Sequence, residues 1–229
     1  MDENPAIFSK ASYEMDTNGN HETRVERTQK FIDENLSNKG WKVVPEHSNR
    51  HMTTFVNDEE IHIAHKGTNP TNINDIKADV AIALGQEKKD SLFSLRKTKT
   101  ENALKAYPDK RASASAHSLG GSTLYDAALS SRYVGDRLEK IDTYNQGVSV
   151  FRKRLTPKRH TDLKEKITIH RTRGDPVSAS AVLNRPVGKL KTYKTTEESG
   201  NLPQRILSSA LNLGIAKKSL DAHSIDNFI

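Results

Sequence analysis

Apolar residues recur along this chain at two different periods. Between residues 22 and 38, Val25, Phe31, Ile32 and Leu36 fall on one helical face, and Gly40 stands beyond them as a stop, which predicts an amphipathic packing helix. Residues 53–56 and 60–65 are short runs of strand-forming residues joined across Asn57-Asp58, the pattern of a tight hairpin. Helical spacing returns in part over 75–85 (DIKADVAIALG) and 94–107 (SLRKTKTENALKAY), the second closed by Pro108-Asp109. The run 113–123, SASAHSLGGST, reads as a strand that turns at Ser118 into a helix starting near Ser122. Strands are expected again over 139–145 (EKIDTYN) and 166–171 (KITIHR), with a basic loop between them, then a hairpin-like stretch over 187–194 and a helix near 203–213. Strand and helix thus alternate, which predicts an α/β fold on a mostly parallel central sheet flanked by helices. Residues 1–21 are polar and turn-rich, with MDTNGNHE near their end. They are expected to form a flexible N-terminal arm ahead of one domain over 22–229.

Composition narrows the picture. At 229 residues the chain can bury one sizeable core, and its length requires no second domain. No apolar run approaches the ~20 residues of a membrane span. The N-terminal MDENPAIFSK lacks the basic and apolar regions of a secretory signal, so the expected compartment is intracellular. The absence of cysteine excludes disulfides, thiolate zinc sites and a cysteine nucleophile. A formal charge of +7 favours anionic partners. The segment 151–160, FRKRLTPKRH, gathers Arg152, Lys153, Arg154, Lys158 and Arg159 into what reads as a solvated loop. Such a loop suits an anionic membrane surface, where each basic residue contributes roughly 1 kcal/mol. No aromatic stacking platform or recognised nucleic-acid motif accompanies the charge.

Ser118 is the first residue with chemistry to test. An acyl-transfer serine sits on a sharp, strained strand-to-helix turn, its Oγ projecting from the sheet end and the next backbone N–H facing the substrate carbonyl oxygen. Small residues are needed two before and two after, where strand and helix cross. Gly120 meets the second requirement and Ala116 stands at the first, giving A-x-S-x-G. Alone, that pattern also describes a Ser/Gly turn capping a helix. A serine nucleophile needs a base, and the base needs a carboxylate to fix its tautomer. Of nine histidines, His117 is too close in sequence to turn back on Ser118, and His160 lies in the basic loop. His62 and His65 sit three apart on a strand, on opposite faces, which argues against a shared metal. His170 ends the strand KITIHR, and His223 lies in a C-terminal loop. Asp175 follows that strand past Thr172-Arg173-Gly174, on the sheet edge that carries the serine; Asp221 and Asp226 are rivals.

The ordered set I-A-H-K-G-T (63–68), A-H-S-L-G-G (116–121), D-T-Y-N (142–145), G-D-P-V-S (174–178) and A-H-S-I-D-N-F (222–228) resembles the class 3, fungal-type lipases of the α/β-hydrolase fold. The similarity spans about residues 55–228, and the order Ser, Asp, His is that of α/β-hydrolases generally. The resemblance implies a single-domain α/β-hydrolase with Ser118 as nucleophile, His223 as base and Asp175 as its orienting acid. It implies oxyanion donors at the backbone N–H groups of Leu119 and Thr68, the latter in K-G-T where the family has R-G-[ST]. Lys66 in place of that Arg loses the bidentate fork, which weakens any tie expected to Asp79. No cofactor and no metal are implied. The family often covers its site with an amphipathic lid after the oxyanion strand; the corresponding stretch here is 69–95, in which 86–95 reads equally as a lid or as a polar excursion. The expected function is that of a serine esterase cleaving lipid acyl esters through an acyl-enzyme, with peripheral contact to anionic membranes. The alternatives are an idle lipase-fold module binding anionic lipid or a protein, and a basic nucleic-acid-binding protein.

Overall fold

Between Arg111 and His117 the strand leading to Ser118 carries only alanine and serine, so both of its faces accept close packing. In the computed structural model, which describes residues 3–36, 39–68, 89–147, 155–175, 177–179, 186–194 and 221–229, this strand is the centre of a seven-stranded sheet. In chain order the strands are β1 (Lys42–Val43), β2 (Met52–Val56), β3 (Glu60–His65), β4 (Arg111–His117), β5 (Lys140–Tyr144), β6 (Ile167–Thr172) and β7 (Lys189–Tyr193). They lie side by side in that same order. The first three pair antiparallel, and β3 through β7 are parallel. The helices are α1 (Pro5–Ala11), α2 (His21–Asn35), α3 (Lys89–Ala106), α4 (Leu119–Ser130), α5 (Arg132–Arg137) and α6 (Pro157–Lys166). The α/β architecture with a mostly parallel sheet is therefore as the alternation predicts.

Strand periodicity divides the core. Ala112, Ala114 and Ala116 of β4 join Ile61, Ile63, Ile141, Ile167 and Ile169 in one cluster with Leu104 of α3 and Leu124 and Ala128 of α4. The alternate residues face α1. There the His62 ring bridges the Ser113 and Ser115 hydroxyls at 2.7 and 2.8 Å and stacks on Phe8, with ring centres 4.1 Å apart. Phe8 also meets Trp41 edge-on at 4.9 Å. Burial of each such large apolar side chain stabilises the fold by roughly 1.5–3 kcal/mol.

Three local expectations change. The arm expected over 1–21 is packed from residue 5 onward: Asn4 caps α1, Pro5 opens it, and Ala6, Phe8, Ala11 and Met15 are buried. Residues 157–166, read in part as basic loop, form α6, because the Thr156 side chain caps the Arg159 N–H and Pro157 suits the first turn. The stretch 187–194 is no hairpin but the single edge strand β7, parallel to β6. The helices expected over 75–85 and near 203–213, Asp79 and residues 151–154 lie outside the described residues. Of the lid candidate, residues from 89 onward belong to the first turns of α3. No helix among the described residues is long and apolar enough to cross a membrane.

Candidate active site

Ser118 occupies the turn between β4 and α4 with φ 56° and ψ −126°, a conformation costing about 1–3 kcal/mol for a residue other than glycine. The turn is held by its own main chain. Ser118 N–H donates to the Tyr144 carbonyl at 2.9 Å, and Ser122 N–H donates to the Ser118 carbonyl at 3.2 Å. Close approach of the end of β3 explains the glycines. A Cβ on Gly120 would lie 2.4 Å from the His65 carbonyl oxygen, and one on Gly67 would lie 2.7 Å from Ser118 Cβ. Ser118 stands at the N-cap position of α4, yet its side chain makes no capping bond. That separates it from an ordinary Ser/Gly capping turn.

Its hydroxyl is instead 2.8 Å from His223 Nε2, and His223 Nδ1 is 2.9 Å from Asp175 Oδ1. All three side chains are buried, Asp175 completely. The Asp175 carboxylate also accepts from the backbone N–H of Val177 at 3.1 Å and of Ser178 at 2.9 Å. Burial alone would raise its pKa, but the adjacent His223 and the hydrogen bonds from His223 and Ser178 outweigh burial and hold it below the usual carboxylate range. Asp175 thus stays anionic and can accept from His223 Nδ1–H, leaving Nε2 bare toward the serine hydroxyl. The rivals lie elsewhere: Asp226 is exposed and pairs with Lys10, and Asp221 is exposed. His160 is exposed, and His170 binds Asp142 at 2.7 Å and the Tyr193 hydroxyl at 2.8 Å.

The sites expected for the oxyanion donors flank the serine. Leu119 is the first residue of α4, where a backbone N–H has no intrahelical acceptor. Thr68 follows Gly67, which lies against Ser118. Lys66 is buried and bonds Asp16 at 2.5 Å, from the N-terminal segment. Burial lowers its ammonium pKa, with the Asp16 contact working in the opposite direction. Arg96 of α3, which no local motif marks in the sequence, donates to the Lys66 carbonyl at 2.8 Å and fixes this loop from the other side. Asn145, quoted only as part of a motif, holds two further loops together: its side chain accepts from Thr172 N–H at 2.8 Å and donates to the Ala222 carbonyl at 3.0 Å. A hint was present, since asparagine tolerates the left-handed turn it adopts here, φ 44°. Among the described residues no group of three or more His, Cys, Asp or Glu is arranged to hold a metal ion.

Three further histidines are fully buried. His65 lies between the Thr123 and Thr100 hydroxyls at 3.1 and 2.9 Å, on the face opposite His62. Burial lowers its pKa well below the ordinary value, with Arg96 adding to the effect. Burial pushes His62 down to about 3 and His117 to about 3, the neighbouring His223 adding to the effect at His117. The folded protein therefore binds fewer protons than the unfolded chain below pH about 6.5, the ordinary histidine value. Stability is full above that pH and is lost as pH falls toward the folded values, by roughly 2 kcal/mol per histidine at pH 5. Urea midpoints measured at pH 8 and pH 5 are expected to fall sharply; equal midpoints would mean the three rings are not held neutral.

No protein family and no curated protein matches this chain significantly. Solved structures do. The native propeptide complex of Rhizomucor miehei lipase matches over 82% of this chain and 68% of that one, at 15% identity and a TM-score of 0.45. A lipase from Rhizopus microsporus var. chinensis matches over 97% of this chain and 82% of that one, at 12% identity and a TM-score of 0.41.

Proposed function

We propose that this protein is a serine hydrolase of carboxylic esters, acting on lipid acyl groups. The observation that carries the reading is the continuous Asp175–His223–Ser118 hydrogen-bond chain ending on a strained serine whose hydroxyl has no capping role. Ser118 Oγ attacks the acyl carbonyl while His223 Nε2 takes its proton, and Asp175 stabilises the imidazolium that forms. The N–H groups of Leu119 and Thr68 receive the negative charge on the former carbonyl oxygen. Collapse expels the alcohol, which takes the proton from His223, and leaves the acyl group on Ser118. Water then attacks that ester with His223 again as base, releasing the acid. The resemblance of five ordered motifs to fungal-type lipases supports the lipid preference. The net charge of +7 favours an anionic interface as the place where substrate is met.

The test is a fluorophosphonate probe together with a substrate series of short-chain and long-chain nitrophenyl esters and a phospholipid. Stoichiometric labelling and hydrolysis of at least one ester are expected, with turnover favouring the long chain. A folded protein that takes no label and cleaves none of them would instead be an idle binding module.

A further inference from the structure

The Tyr13 hydroxyl belongs to a segment remote in sequence from the site, yet it lies among the groups that build it. Tyr13 Oη is 2.6 Å from His117 Nδ1, and His117 Nε2 is 2.7 Å from the backbone carbonyl of His223. The same phenol oxygen lies against Gly67, where an added Cβ would be 2.8 Å from it. The directions of these bonds follow from chemistry. A carbonyl can only accept, so His117 Nε2 carries the proton. His117 is buried and neutral, which leaves Nδ1 bare, so the Tyr13 O–H donates to it. The result is one directed chain from Tyr13 through His117 to the His223 carbonyl, with the Tyr13 oxygen packed against Gly67.

We propose that Tyr13 is a positioning residue for the acyl-transfer site, fixing the loop that carries Thr68 and the backbone that carries His223 at one mutual spacing. This rests on the hydrolase reading above. The Thr68 donor follows β3 and the base comes from the C-terminal segment; Tyr13 meets the first by packing on Gly67 and the second through His117. Neighbouring contacts hold the tyrosine itself in place: Lys66 Nζ lies 5.4 Å from its ring centre, and Asp16, three residues on, binds that lysine. The same N-terminal segment reaches the C-terminal one at the far end, where Asn4 donates to the Phe228 carbonyl at 2.6 Å.

Tyr13→Phe removes the hydroxyl and keeps the ring. It is expected to lower kcat for a nitrophenyl ester about ten- to a hundredfold, as small misplacements of reacting groups do, with KM within about twofold of wild type. The rate of fluorophosphonate labelling should fall by the same factor. A purely structural role would lower the melting temperature and leave kcat intact, which overturns the proposal. Should Tyr13→Phe not fold, 15N-edited spectra of the wild type decide: His117 is expected as the neutral Nε2–H tautomer, and an Nδ1–H or doubly protonated ring overturns the chain. A wild type that takes no label overturns the hydrolase reading and this proposal with it. A labelled wild type with an unimpaired Tyr13→Phe overturns this proposal alone.

Discussion

Ser118→Ala is expected to abolish fluorophosphonate labelling and to lower ester turnover by about 10⁴- to 10⁶-fold in a protein that remains folded. The size follows from what is removed. Without Oγ no acyl-enzyme can form, and only the oxyanion donors and substrate binding remain to assist water. The fold should survive because the turn depends on main-chain bonds, from Ser118 N–H to Tyr144 and from Ser122 N–H to Ser118, which alanine keeps. Alanine also carries the same Cβ, so the strain at φ 56° is unchanged. The loss is confined to one bond: His223 Nε2 then faces a methyl group, at a cost of about 1 kcal/mol or somewhat more. Labelling on a gel beside a thermal melt measures both halves of the expectation. Persistent labelling in the mutant would place the nucleophile at another residue.

Much of the layout around this serine was legible from short-range pattern. The strand-turn-helix at 113–123 could be read because alternating small residues and the Gly120 contact are local requirements, and the contact with the His65 carbonyl shows why the glycine is needed. The three side chains expected to meet do meet, although Asp175 and His223 come from opposite ends of a 48-residue separation. The N-terminal segment looks loose in sequence because MDTNGNHE dominates its composition. Its apolar residues are few, and Phe8 acquires its meaning only when His62 and Trp41 are brought to it by the sheet. α6 was obscured by its charge, which speaks of solvent and not of conformation; the Thr156-Pro157 cap was the better signal. Tyr13 had no local signal at all. Its contact with His117 spans 104 residues, and a tyrosine in a polar segment has no pattern that announces a buried hydroxyl.

Asp175→Asn is expected to reduce kcat by about 10⁴-fold with little change in KM, and to leave fluorophosphonate labelling detectable but slow. The native carboxylate is acceptor-only and serves three donors: His223 Nδ1 and Val177 N–H at Oδ1, and Ser178 N–H at Oδ2. An amide has one oxygen for these three. If its oxygen faces His223 and Val177, its NH₂ opposes the Ser178 N–H, and the imidazolium formed during attack has no anion beside it. If the oxygen faces Ser178, the NH₂ opposes the Val177 N–H and drives His223 into the tautomer with a bare Nδ1. The Nε2–H then points at Ser118, and the ring cannot accept the serine proton. The first placement weakens general-base catalysis and the second removes it, and both leave one donor–donor clash at a fully buried position, so stability should drop by about 1–3 kcal/mol as well. The two placements separate spectroscopically, since the His223 tautomer differs between them. Wild-type kcat in this variant would show that Asp175 does not orient the base, and would turn attention to the remaining bonds that hold His223, above all the one its carbonyl accepts from His117.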